Sequence, residues 1–130
     1  MMLAGQLAVV VNRWQPGRVD LDFVGYDFAS ASFRAQVRAY RDAPDPALIT
    51  LANAAAGEEG VSVSVTTTDG VPTSTVTLLF ADTTIRALPF TNPRGTDLQL
   101  VWDLTVTAPG GLKTRWLEGP FTIHGGSTQL

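Results

Sequence analysis

The chain of 130 residues has no cysteine, only one histidine, and no long apolar run. Without cysteine, neither a disulfide framework nor thiolate–metal chemistry is available. No apolar stretch approaches the ~20 residues that a membrane-spanning helix needs. The N-terminal run "MMLAGQLAVVV" lacks the basic start of a signal peptide and is interpreted as a strand. These features predict a soluble chain with no membrane partner.

Charge is also sparse. Asp, Glu, Lys and Arg make up 16% of the residues, and the formal net charge is −3. A protein that binds nucleic acid needs a basic stripe to neutralise phosphates. Here eight arginines and Lys113 are scattered among twelve carboxylates. The sequence therefore predicts no nucleic-acid partner.

What the sequence does contain is alternation of apolar and polar residues, which is typical of half-buried strands. The stretches "GVSVSVTTTDG" and "TSTVTLLFA" alternate on either side of the turn signal Asp69-Gly70 and predict a hairpin. A second hairpin is predicted in "LQLVWDLTVTAPGGLKTRWLEGPFTIHG". Shorter strands are predicted in "LAVVVNRW", "RVDLDFVGY", "SFRAQVRAY" and "ALITLAN".

One short helical turn is predicted near 82–88, with Asp82 or Thr83 as its cap and Pro89 as its end. Many short strands between turn signals indicate an all-β class, a sandwich or a barrel. The length fits one domain, 1–130. Residues 1–14 are predicted to form an N-terminal strand or arm, and residues 125–130 a flexible tail.

Candidate chemistry is scarce. Catalysis by His124 would need an orienting carboxylate and a serine, and Ser127, which is close in sequence, falls in the predicted tail. His124 is therefore interpreted as an exposed strand-end residue. Asp20 and Asp22 share one face of a strand, about 7 Å apart, a spacing that would suit a calcium site or a glycosidase pair. The ordinary interpretation is that they form the solvated face of an amphipathic strand. The sequence predicts no catalytic residue, no metal site and no cofactor.

Seven residues are candidates for contacts with other chains. Ala8 to Val11 run without alternation, which suits a strand buried on both faces or one that reaches into a neighbour. Trp116 fits a second buried face or an interface, and Gly119-Pro120 predicts an edge, a bulge or a switch between sheets. The candidate assembly contacts are Val9, Val11, Trp14, Arg34, Arg38, Trp116 and Pro120.

An ordered set of motifs runs from about residue 19 to the C-terminus. Its members are Gly25-Tyr26, Arg38, the stretch 83–89 ending in Leu-Pro, Trp102-Asp103-Leu104, Gly110-Gly111, Leu117-Glu118-Gly119 and Thr128. In this order they resemble a family of small phage tail-region structural proteins. Members of that family look similar to the immunoglobulin-like N-terminal domains of upper-baseplate and tail-fibre proteins.

The resemblance implies an immunoglobulin-like antiparallel β-sandwich of about seven to eight strands. It also implies a non-enzymatic virion protein, made in the host bacterial cytoplasm, whose partners are other virion proteins and copies of itself on the tail, baseplate or fibre attachment region. An alternative is that the chain is a capsid decoration or head-fibre protein. A carbohydrate-binding module that uses Trp116 with Tyr26 or Tyr40 is an alternative of another class.

Overall fold

The computed structural model describes residues 5–88 and 97–125, and nearly all regular structure in these residues is β. The elements, in chain order, are β1 Gly5–Gln6, β2 Val9–Asn12, β3 Gly17–Val24, β4 Ser32–Arg38, β5 Ile49–Ala52, β6 Gly60–Thr68, β7 Val71–Phe80, α1 Asp82–Arg86, β8 Leu98–Thr107 and β9 Lys113–His124.

The strands form two sheets. The large sheet has the order β1-β9-β8-β4-β5, with β2 also alongside β9, and the small sheet has the order β3-β7-β6. Pairing is antiparallel except at β1 and β2, which run parallel to β9. Both predicted hairpins are present as β6–β7 and β8–β9. The predicted all-β sandwich is confirmed.

The core lies between the inner faces of the two sheets, where every second side chain of each long strand points. On β8 the buried positions are Leu98, Leu100, Trp102, Leu104 and Val106, and on β7 they are Ser74, Val76, Leu78 and Phe80. Phe80 and Phe121 join the two sheets with ring centroids 5.4 Å apart. The alternation in the sequence therefore specifies which side of each strand is buried.

The N-terminal strand β2 buries only one of its faces. Val9 and Val11 are each 3% exposed and belong to the core, whereas Val10 between them is 61% exposed. The expectation of a strand buried on both faces is therefore wrong. Two of the candidate contact residues, Val9 and Val11, have side chains packed inside this chain.

Strand β9 runs through Gly119-Pro120 without a break, and it is the neighbouring N-terminal strand that is interrupted there. Strand β1 pairs with β9 up to Glu118, and β2 resumes at Phe121. Proline has no N–H to donate, so no ladder bond is lost in the gap. The bulge in β9 lies earlier, because Leu117 faces Leu104 and Arg115 faces Thr105, which leaves Trp116 as the extra residue.

Helix α1 connects the small sheet to the large one. Ala81 is its N-cap residue and makes no side-chain capping bond, so the predicted caps Asp82 and Thr83 are wrong. Asp82 lies in the first turn instead and pairs with Arg86 at 3.1 Å. The other predicted features that fall on 1–4, on Pro89 and on 126–130 lie outside the described residues.

Within residues 5–88 and 97–125, no helix has the length and apolar character that crossing a membrane requires.

Candidate assembly surfaces

Three of the seven candidate contact residues lie on the outer face of the large sheet. Arg34 and Arg38 point outward from β4, and Pro120 is exposed on β9. Arg34 is level with Thr105 of β8, and Pro120 is level with Val101. Charged and polar side chains dominate this face.

An open groove of about 620 Å³ runs across this outer face between the sheet and the segment 39–46. Arg38 and Pro120 both line it, and Gln6 brings the N-terminal strand to one side. The other polar lining residues are Gln36, Tyr40, Arg41, Asp42, Asp45, Asp103, Arg115 and Glu118. The groove is therefore a charged cleft rather than an apolar one.

Arg38 fixes the segment that forms one side of the groove. Its guanidinium donates to the Ala43 carbonyl at 2.8 Å and to the Asp45 carboxylate at 2.6 Å. The Arg38 side chain is 19% exposed, whereas that of Asp45 is 87% exposed. An arginine fork suits this double contact, since it presents several donors in one plane. Arg38 thus positions the segment 39–46 and is largely used within the chain.

The opposite side of the groove contains an ion-pair network on β8 and β9. Asp103 and Glu118 lie directly opposite each other in the ladder, an arrangement that is unfavourable for like charges. Arg115 bridges them, 3.2 Å from Asp103 and 3.6 Å from Glu118. Glu118 also contacts Arg41 at 3.3 Å and accepts a hydrogen bond from Gln6 at 3.2 Å.

Burial changes the pKa of Asp103, which lies at the base of this network. Loss of hydration raises the pKa of its carboxyl above the ordinary value of 3.8, because burial disfavours the charged form. Arg115 and Arg38 lower the pKa, and Glu118 raises it further, but none of these effects outweighs burial. The charged form of Asp103 is therefore less favourable in the folded chain than in a fully hydrated carboxyl.

The outer face of the small sheet is polar and partnered. Asp20 accepts a hydrogen bond from Thr77 at 2.7 Å, and Asp22 accepts one from Thr75 at 2.7 Å. The hydroxyl of Thr77, followed by Arg18, lowers the pKa of Asp20. In the part of the chain that the structure describes, no group of three or more His, Cys, Asp and Glu residues could hold a metal ion.

Trp116 belongs to an aromatic cluster at the end of the sandwich where β3 leads into β4. Its ring contacts Tyr26, Phe28 and Phe23, with centroid distances of 4.8, 5.5 and 5.8 Å. Trp116 is half-buried, and Tyr26 is 46% exposed. The bulge in β9 directs Trp116 toward this cluster, so the residue packs within the chain and still presents part of its ring to solvent.

Ser74 holds the loop that carries these aromatics. It is fully buried, donates to the Tyr26 carbonyl at 2.8 Å and accepts from the Phe28 N–H at 2.9 Å. Sequence reasoning missed this residue, although Ser74 falls in phase with Val76, Leu78 and Phe80 on the buried face of β7. The signal in the sequence was a serine at a position where the alternation of the strand predicts an apolar residue.

Trp14 and His124 lie at strand ends. Trp14 has a positive φ of 79° in the turn between β2 and β3, with the Arg13 guanidinium 4.7 Å from its ring centroid. His124 is exposed at the end of β9, and its Nδ1 is 3.1 Å from Asp97. Neither residue reaches the groove or the aromatic cluster.

A contact that sequence reasoning also missed ties the N-terminal strand to the core. The Trp102 indole N–H donates to the Leu7 carbonyl at 2.9 Å. Gly119 allows this approach, because a Cβ at that position would overlap the Leu7 carbonyl. The Gly-Pro dipeptide inside a strand was the only signal for such close backbone contact.

No protein-family model matches the sequence, and no curated protein matches it significantly.

Proposed function

We propose that the chain is a non-enzymatic structural module of a bacteriophage virion, assembling in multiple copies on the tail, baseplate or fibre attachment region. We also propose that its sandwich is immunoglobulin-like. The order β3-β7-β6 against β9-β8-β4 corresponds to the B-E-D and G-F-C order of immunoglobulin sheets, with short helix α1 between the E and F positions.

One observation carries the proposal. The motifs of the phage-protein resemblance are far apart in sequence, yet several of them meet in the groove on the large sheet. Arg38 from β4, Trp102-Asp103 from β8 and Glu118-Gly119 from β9 all line it. A surface that draws together the residues of an ordered motif set supports a role for that surface in the common function of such proteins.

The composition of the groove also suits a contact between proteins. Arg38 and Arg115 are paired with carboxylates at its sides. Tyr40 is 60% exposed, and the Arg41 side chain is 72% exposed although it contacts Glu118. Tyrosine and arginine are enriched among residues that anchor protein interfaces. We expect the groove to receive a segment of another virion protein.

The direct test is mass spectrometry of gradient-purified particles from the phage or prophage that encodes this chain. The proposal expects the chain in the particles at several copies, with a non-structural protein of the same genome as the negative control. Absence of the chain from intact particles would overturn it. Immunogold labelling on the capsid instead of the tail would favour the alternative of a capsid decoration or head-fibre protein.

A charge reversal in the groove tests which surface is used. Arg41→Glu is expected to lower the copy number per particle about tenfold, equivalent to ~1.4 kcal/mol of contact energy. The matched control is Arg18→Glu on the small sheet, since both arginines are exposed and both pair with one carboxylate. Equal incorporation of both variants would show that the groove is not the mounting surface.

A second candidate function, a carbohydrate-binding module, is favoured by the contact between Tyr26 and Trp116. Their ring centroids are 4.8 Å apart, and both rings are partly exposed. The test is a glycan array followed by titration of tryptophan fluorescence. Binding that is lost in Tyr26→Ala and kept in Tyr40→Ala would support this candidate, and an array without any bound glycan would remove it.

A further inference from the structure

The N-terminal segment, residues 5–12, lies along one edge of the large sheet as a short and separate element. Its strands β1 and β2 have only two and four residues, and both pair with β9. Between them the Leu7 backbone donates to the Glu118 carbonyl at 2.9 Å and accepts a hydrogen bond from the Trp102 indole. The segment is therefore attached to the sandwich through one strand and one side chain of its neighbour.

The site that receives the N-terminal segment fits this particular sequence. Val9 and Val11 are buried in the core of the sandwich, and Gln6 donates to the Glu118 carboxylate at 3.2 Å. A Cβ at Gly119 would overlap the Leu7 carbonyl, so the backbone of the segment also has a fixed place. The same segment of a second copy carries the same groups and would fill this site equally well.

The turn that joins the N-terminal segment to the rest of the chain contains a strained residue. Residues 13–16 lead from β2 in the large sheet to β3 in the small sheet, and Trp14 has a φ of 79°. This left-handed conformation is disfavoured for a bulky residue, because its Cβ crowds the following carbonyl. Short connections under strain favour the exchange of a segment between copies, since an extended connection relieves the strain.

Pro16 at the end of this turn also favours an extended connection. Its ring fixes its own φ, and it restricts Gln15 before it to the extended region. Four extended residues span at most about 14 Å. Two copies that exchange the N-terminal segment must therefore be direct neighbours.

We propose that the N-terminal segment is exchanged between copies of this chain, so that β1 and β2 of one copy pair with β9 of a second copy. Exchange keeps the contacts of the segment and replaces the strained turn by an extended connection. Val9 and Val11 of one copy then complete the core of its neighbour. Gln6 of one copy lines the groove of the neighbour, so each groove is incomplete without another copy.

The inference deepens the proposed function and rests on it for its setting, because a virion holds many copies close together. Exchange turns contacts inside one chain into contacts between chains, and mass action makes it depend on concentration. A dilute chain closes on itself, with β2 on its own β9. Copies held side by side on a particle have a high effective concentration, which favours the exchanged form.

The test uses two single-cysteine chains, Val10→Cys and Thr122→Cys, because the chain itself has no cysteine. The two positions are level in the parallel pair of β2 and β9, at a separation that a disulfide can bridge. Equal amounts of the two chains are unfolded in urea, refolded together at about 0.5 mM and oxidised. Peptide mapping by mass spectrometry then measures the disulfide between residue 10 of one chain and residue 122 of the other.

The matched control is a mixture of Thr66→Cys and Thr73→Cys chains. These positions are level in the β6–β7 hairpin, which stays within one chain when the N-terminal segment is exchanged. The proposal expects at least about tenfold more mixed disulfide in the 10–122 mixture than in the control, because exchange holds those two cysteines together. Equal yields in the two mixtures would overturn the inference.

A double variant checks that the substitutions allow the chain to fold. Val10→Cys/Thr122→Cys, refolded at about 10 μM, is expected to close its disulfide within one chain, because dilution favours the closed form. This result would show that β2 carrying the first cysteine still pairs with β9 carrying the second. A low yield in the mixture of single-cysteine chains would then count against exchange and not against folding.

Two substitutions of Trp14 test the role of the turn. Glycine adopts a positive φ without steric cost and alanine does not, while both lack the indole ring. Trp14→Gly is therefore expected to form at least about fivefold less dimer than Trp14→Ala in sedimentation equilibrium at the same concentration. Equal dimer formation by the two variants would contradict the inference and leave the virion assignment standing. Absence of the chain from particles alongside normal exchange would remove only the proposed function.

Discussion

Gly119 is the residue on which the attachment of the N-terminal strand depends. The space that a side chain would need is filled by the Leu7 backbone, whose carbonyl also accepts the Trp102 indole N–H. Gly119→Ala is expected to lower the free energy of unfolding by about 2–3 kcal/mol through overpacking and loss of that bond. Urea unfolding measures the change.

The control for this prediction is Gly5→Ala. A Cβ at residue 5 would meet the flexible Leu117 side chain at 3.1 Å, which can move, rather than a backbone carbonyl. We expect a cost below about 1 kcal/mol there. Equal destabilisation by the two alanines would contradict the role assigned to the Leu7–Trp102 contact.

Ser74 is a buried hydroxyl that makes two hydrogen bonds to the loop following β3. Ser74→Ala leaves the Phe28 N–H and the Tyr26 carbonyl without this partner, and we expect it to cost about 1–3 kcal/mol. Hydrogen exchange of the Phe28 amide should accelerate accordingly. Ser64→Ala, at an exposed position on β6, is the neutral control, and an unchanged Phe28 amide would be inconsistent with the proposed anchoring.

Asp103 makes the stability of the chain pH-dependent in a defined direction. Its pKa is raised in the folded state, so between the ordinary value of 3.8 and the folded value the native state binds more protons than the unfolded state. The contribution of Asp103 to the free energy of unfolding is therefore fully present below 3.8 and is lost as the pH rises through that window.

Asp103→Asn removes this titration. We expect the free energy of unfolding of the unaltered chain, minus that of the variant, to be larger at pH 3.5 than at pH 7. Denaturant titrations of both proteins at the two pH values give the difference, and the acid sensitivity of all other carboxylates largely cancels in it. A larger difference at pH 7 would mean that the ion pair with Arg115 outweighs burial.

At the scale of elements, substitutions along β2 measure how much each face of this strand contributes to stability. Val9→Ala and Val11→Ala are each expected to destabilise the chain by about 1–2 kcal/mol, because they remove buried methyl groups. Val10→Ala, between them on the exposed face, is expected to change stability by less than about 0.5 kcal/mol. Thermal unfolding of the three variants makes the comparison, which a large effect at residue 10 would contradict.

The sequence alone predicts some of these strands correctly and others only in part. Alternation in β6, β7 and β8 predicts the two hairpins and the buried side of each strand, because the period of two follows directly from strand geometry. The absence of alternation in Ala8 to Val11 suited a strand buried on both faces or one that reaches into a neighbour, and the first of these is wrong because Val10 is 61% exposed. An edge strand with one solvated face can be apolar throughout, so composition alone does not define its burial.

The groove could be predicted only in part. Arg38 and Pro120 were candidates for contact, but Gln6, Arg41, Asp103 and Glu118 join them through pairing between strands that are distant in sequence. The path of the segment 39–46 depends on the hydrogen bonds from Arg38 to Ala43 and Asp45. Long-range pairing and loop position are tertiary properties that a local pattern does not encode.

At the scale of the whole molecule, the outer face of the large sheet is the surface that the proposed function uses for assembly. This face contains the charged groove, to which strands β4, β8 and β9 and the segment 39–46 all contribute. Contacts at such a groove, repeated by symmetry, would give a stable assembly from weak parts.

The most direct measurement of the central claim is a cryo-electron microscopy map of the intact particle at a resolution that identifies the chain. The account predicts repeated copies of this sandwich in the tail region, with Tyr40 and Arg41 of each groove against another virion protein. The account would be contradicted by a map of intact particles that has no density for the sandwich. It would also be contradicted by copies whose groove is open to solvent.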